Sequence, residues 1–245
     1  MNALGVTGPE TEGCPADVAL FRGLDGSARA DVVASGARTR RARGVRIFRQ
    51  GAPAHFFYML NEGRVKLTQL TSDGQLVLLR LVVPGEAFGG IAAFGNRKYP
   101  VSAEAVDDCT VTAWNGRTID RLLRRYPQLA INLIEFLSER LHDMQSRYEE
   151  LATQQVERRL ARTLLRLVRR VGRRVDGGVL IDVRLSRQEL AEMAGTSLFT
   201  ASRILKRWQD AGVIRSQRQR ILVRHPHGLV GIAEDLPGPT DDGPG

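Results

Sequence analysis

From Val45 to Trp114 the chain is a succession of short apolar runs, Phe56–Leu60, Val65–Leu70, Leu76–Val83 and Val101–Val111, separated by the turn-forming pairs Glu62-Gly63, Asp73-Gly74 and Pro84-Gly85. Runs of this length between turn residues predict strands joined by hairpins, the pattern of a compact β-sandwich or barrel. A jelly-roll-like unit is expected. After Trp114 the apolar period lengthens: a short helix is predicted near Ile119–Tyr126, and Pro127 is placed to open a longer one. On the longer helix Ile134, Leu137, Leu141, Met144, Tyr148 and Leu151 follow spacings of 3, 4, 3, 4 and 3, flanked by Glu139, Arg140, Asp143, Arg147 and Glu149. So narrow a stripe predicts a parallel coiled-coil contact with a second copy, although over so short a seam a helix lying on its own barrel reads the same way. Thr153-Gln154-Gln155 interrupts the seam, and a second helical pattern runs from Val156 to Val171 with Leu160, Leu164, Leu167 and Val168 inward. The domain boundary is placed at that interruption.

The cleanest local signal follows. Ser186-Arg187-Gln188-Glu189 is a capping box, in which the Ser186 hydroxyl and the Glu189 carboxylate satisfy each other's orphan backbone donors, and Leu185 and Leu190 stand where a hydrophobic staple belongs. A helix is expected from Ser186 to about Ala194, a tight turn at Gly195, and a second helix capped by Thr196 or Ser197 and running to about Ala211. Two short helices joined by a glycine turn form a helix-turn-helix. In the second, Ala201, Ile204, Leu205 and Trp208 make an inward stripe, while Phe199, Ser202, Arg203 and Lys206 repeat the spacing on another side. That second side is available to DNA. The start of such a helix enters the major groove, so Leu198, Phe199, Ser202 and Arg203 are the candidates for base edges, with Arg203 suited to guanine O6 and N7. Arg187, Lys206 and Arg207 read as phosphate contacts, and Thr196, Ser197 and Thr200 belong to the same candidate interface. Val213-Ile214, Arg215–Arg220 and Ile221–Val223 predict a two-stranded wing with a basic tip that includes Arg218.

Charge agrees with this division. The 245 residues carry a formal net charge of +9. Residues 1–153 hold 19 Lys/Arg against 17 Asp/Glu, whereas residues 154–233 hold 17 against 6. A nearly neutral front and a basic back suit a sensory or dimerising domain joined to a nucleic-acid-binding one. Two cysteines, Cys14 and Cys109, are too few for a disulfide framework or a four-thiolate metal site. With no spanning run and no basic-then-apolar leader, a cytoplasmic protein is expected. No phosphate loop, nucleophile elbow or paired-carboxylate motif stands in convincing context, so no enzyme is expected. A cupin-like metalloenzyme would need clustered histidines inside the barrel, where only His55 falls; His225-Pro226-His227 lies after the wing and reads as an exposed linker.

The order of parts, and the run Leu185–Leu205, resemble the Crp/Fnr superfamily of transcription regulators over about residues 18–230. The resemblance implies an α+β protein: a jelly-roll barrel like cyclic-nucleotide-binding domains, a long dimerisation helix and a C-terminal winged helix-turn-helix. The corresponding segments are a flexible 1–17, a sensory barrel at 18–127, a dimerisation helix and hinge at 128–153, a DNA-binding domain at 154–232 and a flexible tail at 233–245. It implies a homodimer on palindromic double-stranded DNA, controlled by an effector in the barrel, and contact with RNA polymerase if the regulator activates. Gly85-Glu86-Ala87-Phe88-Gly89 looks like the start of the family's phosphate-binding cassette, so Gly85, Glu86, Phe88, Gly89, Tyr99 and Met144 are the effector-pocket candidates. Ser202-Arg203 matches the end of the family's Glu-x-x-Ser-Arg reading motif, with Phe199 at the Glu position. Cyclic-AMP-binding members close the cassette with Arg-Ser where this chain has Tyr99-Pro100, and carry a polar pair where it has Met144-Gln145. A phosphate without its arginine is poorly held, Arg97 and Lys98 being the nearest cations. A cyclic-nucleotide-responsive regulatory protein is the alternative, though it leaves the helix-turn-helix without purpose. Haem, with His55 or His142 as ligand, is a further cofactor option; an iron–sulfur cluster is not, because a lone Cys14 cannot build one.

Overall fold

The computed structural model describes residues 18–90, 98–217 and 219–234, which form two compact units that divide between Met144 and Gln145. In the first, a 3-10 turn (Ala19–Phe21) and α1 (Gly26–Ala34) precede eight strands in two antiparallel sheets. One sheet has the order β1-β8-β3-β6 (Ala37–Arg41, Cys109–Asn115, Phe56–Glu62, Ala87–Phe88) and the other β2-β7-β4-β5 (Arg46–Phe48, Ser102–Ala105, Val65–Leu70, Leu76–Val82). Side chains alternate across a strand, so β3 serves two cores: Phe57 and Met59 pack with Val32, Trp114, Leu122 and Leu129, while Tyr58 and Leu60 pack inside the sandwich with Val65, Val82 and Val111. Burial on both faces is why Phe56–Leu60 reads as an unbroken apolar run. The Trp114 indole N–H donates to the Val32 carbonyl at 2.8 Å and ties α1 to the sheet. α2 (Gly116–Arg125) and α3 (Pro127–Thr153) complete the run of elements up to the second unit.

The jelly-roll expectation holds, with corrections at its edges. The barrel begins at Ala37 rather than Val45. β1 and β2 are edge strands carrying Arg38, Arg40, Arg41 and Arg46; charge on an edge discourages foreign pairing but erases the hydrophobic signature of a strand. Val101–Val111 is two strands, parted at Val106-Asp107-Asp108.

The second unit holds α4 (Val156–Val171), the hairpin β9–β10 (Gly172–Val175, Gly178–Ile181), α5 (Arg187–Met193), α6 (Leu198–Asp210), the wing β11–β12 (Ile214–Gln217, Arg220–Val223) and α7 (Pro226–Glu234). The wing belongs to a four-stranded sheet of order β11-β12-β10-β9, not to a two-stranded ribbon. The residues after it form α7 rather than a linker and tail: Leu229 and Ala233 are fully buried, and Arg162 of α4 reaches the Ala233 carbonyl. α3 ends at Thr153 and Gln155 caps α4, so the helix break lies at the predicted place. The compact units nevertheless part earlier than that break. Arg166 holds the Glu150 carboxylate at 2.8 and 3.0 Å, and Leu151 lies over Gly195, so the last turn of α3 packs with the second unit.

Candidate DNA interface and effector pocket

The helix-turn-helix is assembled from its local chemistry. Ser186 Oγ accepts from the Glu189 N–H at 3.1 Å while the Ser186 N–H donates to Glu189 Oε2 at 2.8 Å, closing the capping box. Leu185 and Leu190 are both buried. Gly195 has φ +62, so the turn favours glycine for its conformation, and the Leu151 side chain lies against it. Ser197 caps α6, its Oγ accepting from the Thr200 N–H at 3.2 Å. Thr196 spends its backbone N–H on the Ala191 carbonyl instead.

Ala201, Ile204, Leu205 and Trp208 bury the inner face of α6. Leu198 and Phe199 stand out at 47% and 76% exposure, Arg203 and Lys206 are exposed beside them, and Ser202 is half-buried. The structure therefore brings the predicted reading residues to one surface at the start of α6, with Arg187 exposed on α5. Lys206 also pairs with Asp210 at 3.3 Å, an exposed contact that a phosphate can displace. Arg207 is different: it pairs with Glu157 of α4, whose other oxygen accepts from the Trp208 indole at 2.9 Å, so it braces the helix. Arg218 lies outside the described residues.

Sequence reasoning missed Arg159. Its guanidinium donates to the carbonyls of Gln154 at 2.6 Å, Ala194 at 3.0 Å and Gly195 at 3.0 Å, joining the helix break to the turn of the helix-turn-helix. One arginine among many on α4 carries no local signal of this role.

In the sandwich, Phe88, Gly89 and Tyr99 line a cavity of about 160 Å³, with Phe48, Leu67 and Val101 among its walls and Arg80 and Arg140 as its charged groups among the described residues. Gly85 has φ +85 and turns the chain so that the Gly85 N–H reaches the Leu60 carbonyl at 2.8 Å. Glu86 stands behind the cavity, 3.1 Å from Arg140 Nη2 and 3.6 Å from Arg80 Nη2. Tyr99 is a wall and not a ligand group. Its ring stacks on Phe48 at 3.9 Å, and its hydroxyl donates to the Phe56 carbonyl at 2.8 Å and accepts from the Phe56 N–H. Burial pushes the Tyr58 and Tyr99 hydroxyls above the ordinary tyrosine pKa, so both stay protonated. Met144 departs from expectation: it is 68% exposed, one turn beyond Arg140, and does not line the cavity. Lys98, His55 and His142 are likewise exposed and absent from its walls, and Arg97 and Cys14 lie outside the described residues. On α3, Ile134, Leu141, Met144, Tyr148 and Leu151 are exposed, whereas Leu137 of the predicted seam turns to the cavity.

A sandwich of this topology followed in one chain by a winged helix-turn-helix defines a sensor coupled to a DNA-binding head. Comparison with known proteins agrees in both halves: residues 38–126 match the cyclic nucleotide-binding domain family and residues 158–232 the Crp-like helix-turn-helix domain. The cyclic AMP receptor protein of Thermus thermophilus is 33% identical over 194 residues, covering 79% of this chain and 87% of that protein. A global nitrogen regulator of Synechocystis is 27% identical, with 86% and 92% covered. The solved structure of the c-di-GMP-responsive global regulator CLP of Xanthomonas campestris superposes with a TM-score of 0.72 at 25% identity, covering 81% of this chain and 99% of that one. The chain belongs to the Crp/Fnr superfamily of transcription regulators, and it is a regulator rather than an enzyme. No helix among the described residues is long and apolar enough to cross a membrane.

Proposed function

We propose that two copies of this chain pair along the exposed stripe of α3 and present two α6 helices to an inverted-repeat operator in the cytoplasm. The observation that carries this reading is the pair of opposed faces on α6: Ala201, Ile204, Leu205 and Trp208 fix the helix from within, and Leu198, Phe199, Ser202 and Arg203 stand ready outside. Arg203 reads a guanine, and Phe199 and Leu198 lie against thymine methyl groups, since apolar side chains in the major groove find that methyl and little else. Arg187, Lys206, Thr196, Ser197 and Thr200 hold phosphates and set register. An activator built this way also touches RNA polymerase. Half-site centres fall about one helical turn apart, roughly 34 Å. Footprinting on genomic fragments tests the reading: a protected inverted repeat with that spacing supports it, and protection of one asymmetric half-site overturns it.

The sandwich binds the controlling effector, and that effector is not cyclic AMP. Tyr99, at the position where a phosphate would need a cation, commits its hydroxyl to the backbone of Phe56. The name of the Thermus relative favours the opposite reading. Calorimetry separates them: binding weaker than about 1 mM, or about 4 kcal/mol, is expected for cyclic AMP, and micromolar binding that tightens operator affinity establishes the cyclic-nucleotide reading instead.

A further inference from the structure

We propose that the sandwich cavity takes a small aromatic carboxylic acid, its ring among Phe48, Phe88, Tyr99, Leu67 and Val101 and its carboxylate on the guanidinium of Arg140. This rests on the reading that the sandwich binds the effector, and adds the chemical class of the ligand. Size comes first. A cavity of about 160 Å³ is near the volume, about 150 Å³, at which an apolar protein cavity accepts one benzene ring. Sites for drug-sized ligands run from about 300 Å³ upward, so the described walls favour a small occupant.

The walls select the body of the ligand. Phe48, Phe88 and Tyr99 offer ring faces and edges, and stacked or edge-to-face contacts add to the gain from burying a ring. The Tyr99 hydroxyl is already engaged with Phe56, so this wall asks for carbon rather than for a hydrogen-bonding base. Charge selects the head. Among the described lining residues the charged groups are Arg80 and Arg140, with Glu86 as the carboxylate bridging them from behind. Arg140 gives Nη2 to Glu86 at 3.1 Å and Nη1 to Asp143 at 3.3 Å, and its guanidinium lies 4.9 Å from the centre of the Phe136 ring. Its Nε is buried and has no hydrogen-bond acceptor among the described residues. A buried guanidinium donor without a partner is a costly feature, and one ligand carboxylate oxygen satisfies it. Arg140 sits on α3, the helix that carries the exposed stripe, so occupancy is felt at the element through which the two copies pair.

Calorimetric titration of the full-length protein with benzoate, phenylacetate, benzyl alcohol, hexanoate and cyclic AMP tests the assignment. At least one of the two ring acids is expected to bind in the micromolar range, with benzyl alcohol and hexanoate weaker by about tenfold or more. Arg140→Gln is expected to weaken the ring acid at least about tenfold without changing the binding of benzyl alcohol, and Leu67→Trp, which fills the ring space, to abolish both. Thermal melting shows whether each variant folds; Arg140→Lys, which keeps the charge and loses the fork, replaces Arg140→Gln if needed and is expected to lie between it and the parent. Ring acids that bind no tighter than 1 mM to a protein that still protects its operator overturn the ligand class and leave the DNA-binding reading intact. Ring-acid binding that Arg140→Gln or Leu67→Trp leaves unchanged also overturns it, as does equal affinity for hexanoate. A ring acid that binds as expected but leaves operator affinity unmoved upholds the ligand and refutes the control.

Discussion

Among the described surfaces that expose large apolar side chains, those on α3 and at the start of α6 differ in what surrounds them. On α3, Ile134, Leu141, Met144, Tyr148 and Leu151 form a stripe at heptad spacing with acids and bases on both flanks. At the start of α6, Leu198 and Phe199 stand alone among Arg187, Arg203 and Lys206. Exposure by itself does not tell these surfaces apart. A long stripe bordered by both signs of charge matches a second copy of itself. An isolated apolar tip in an otherwise cationic field matches a polyanion that offers a methyl group in a groove. In the proposed function the α3 stripe supplies affinity through pairing, and the α6 tip supplies discrimination.

The largest effect that separates the two comes from Leu141→Glu combined with Tyr148→Glu. Sedimentation should show monomers, and operator binding should fall by about 100-fold or more as the gain from two linked heads disappears. A dimer that survives both changes removes the pairing role from the stripe. Arg203→Ala comes next. It should cost about 1–3 kcal/mol on the operator and relax the choice at one guanine, leaving random DNA little affected; equal losses on both would make Arg203 a phosphate contact. Ser186→Ala opens the capping box and should lower stability by about 1 kcal/mol in urea unfolding without changing base preference, which marks the boundary between building the head and reading with it. Lys206→Ala should have the smallest effect, a uniform weakening with the salt slope flattened by about one.

Much of the DNA-binding head was legible because its determinants are local. The Ser186–Glu189 box, Gly195 and the two-sided spacing of α6 each act within one or two turns of the chain, and the structure reproduces all three. β3, β4 and β5 were legible for a related reason, since buried strands between turn residues leave a periodic trace. β1 and β2 were not: their arginines answer to an edge position that exists only once the sheets have formed. The pair β9–β10 was overlooked although Asp176-Gly177 marks its turn, because its strands are short and carry Arg173 and Arg174. α7 was hidden in a segment that looked like linker until α4 offered it a face to pack on.

The candidate site divides along the same line. Phe88, Gly89 and Tyr99 were placed from the sequence and line the cavity, but Leu137 left the seam for the cavity and Met144 stayed outside it. A heptad count assigns both residues to one stripe and cannot tell which side of the helix the sandwich will cover. The roles of Arg140, far along the chain from Glu86, and of Arg159, which joins the helix break to the glycine turn, came from tertiary structure alone. Helix caps, turns and periodic burial are governed by neighbours within a few residues, so the sequence by itself determined them. A buried ion pair or a donor that needs an acceptor depends on partners brought together by folding, and only the tertiary structure decided those.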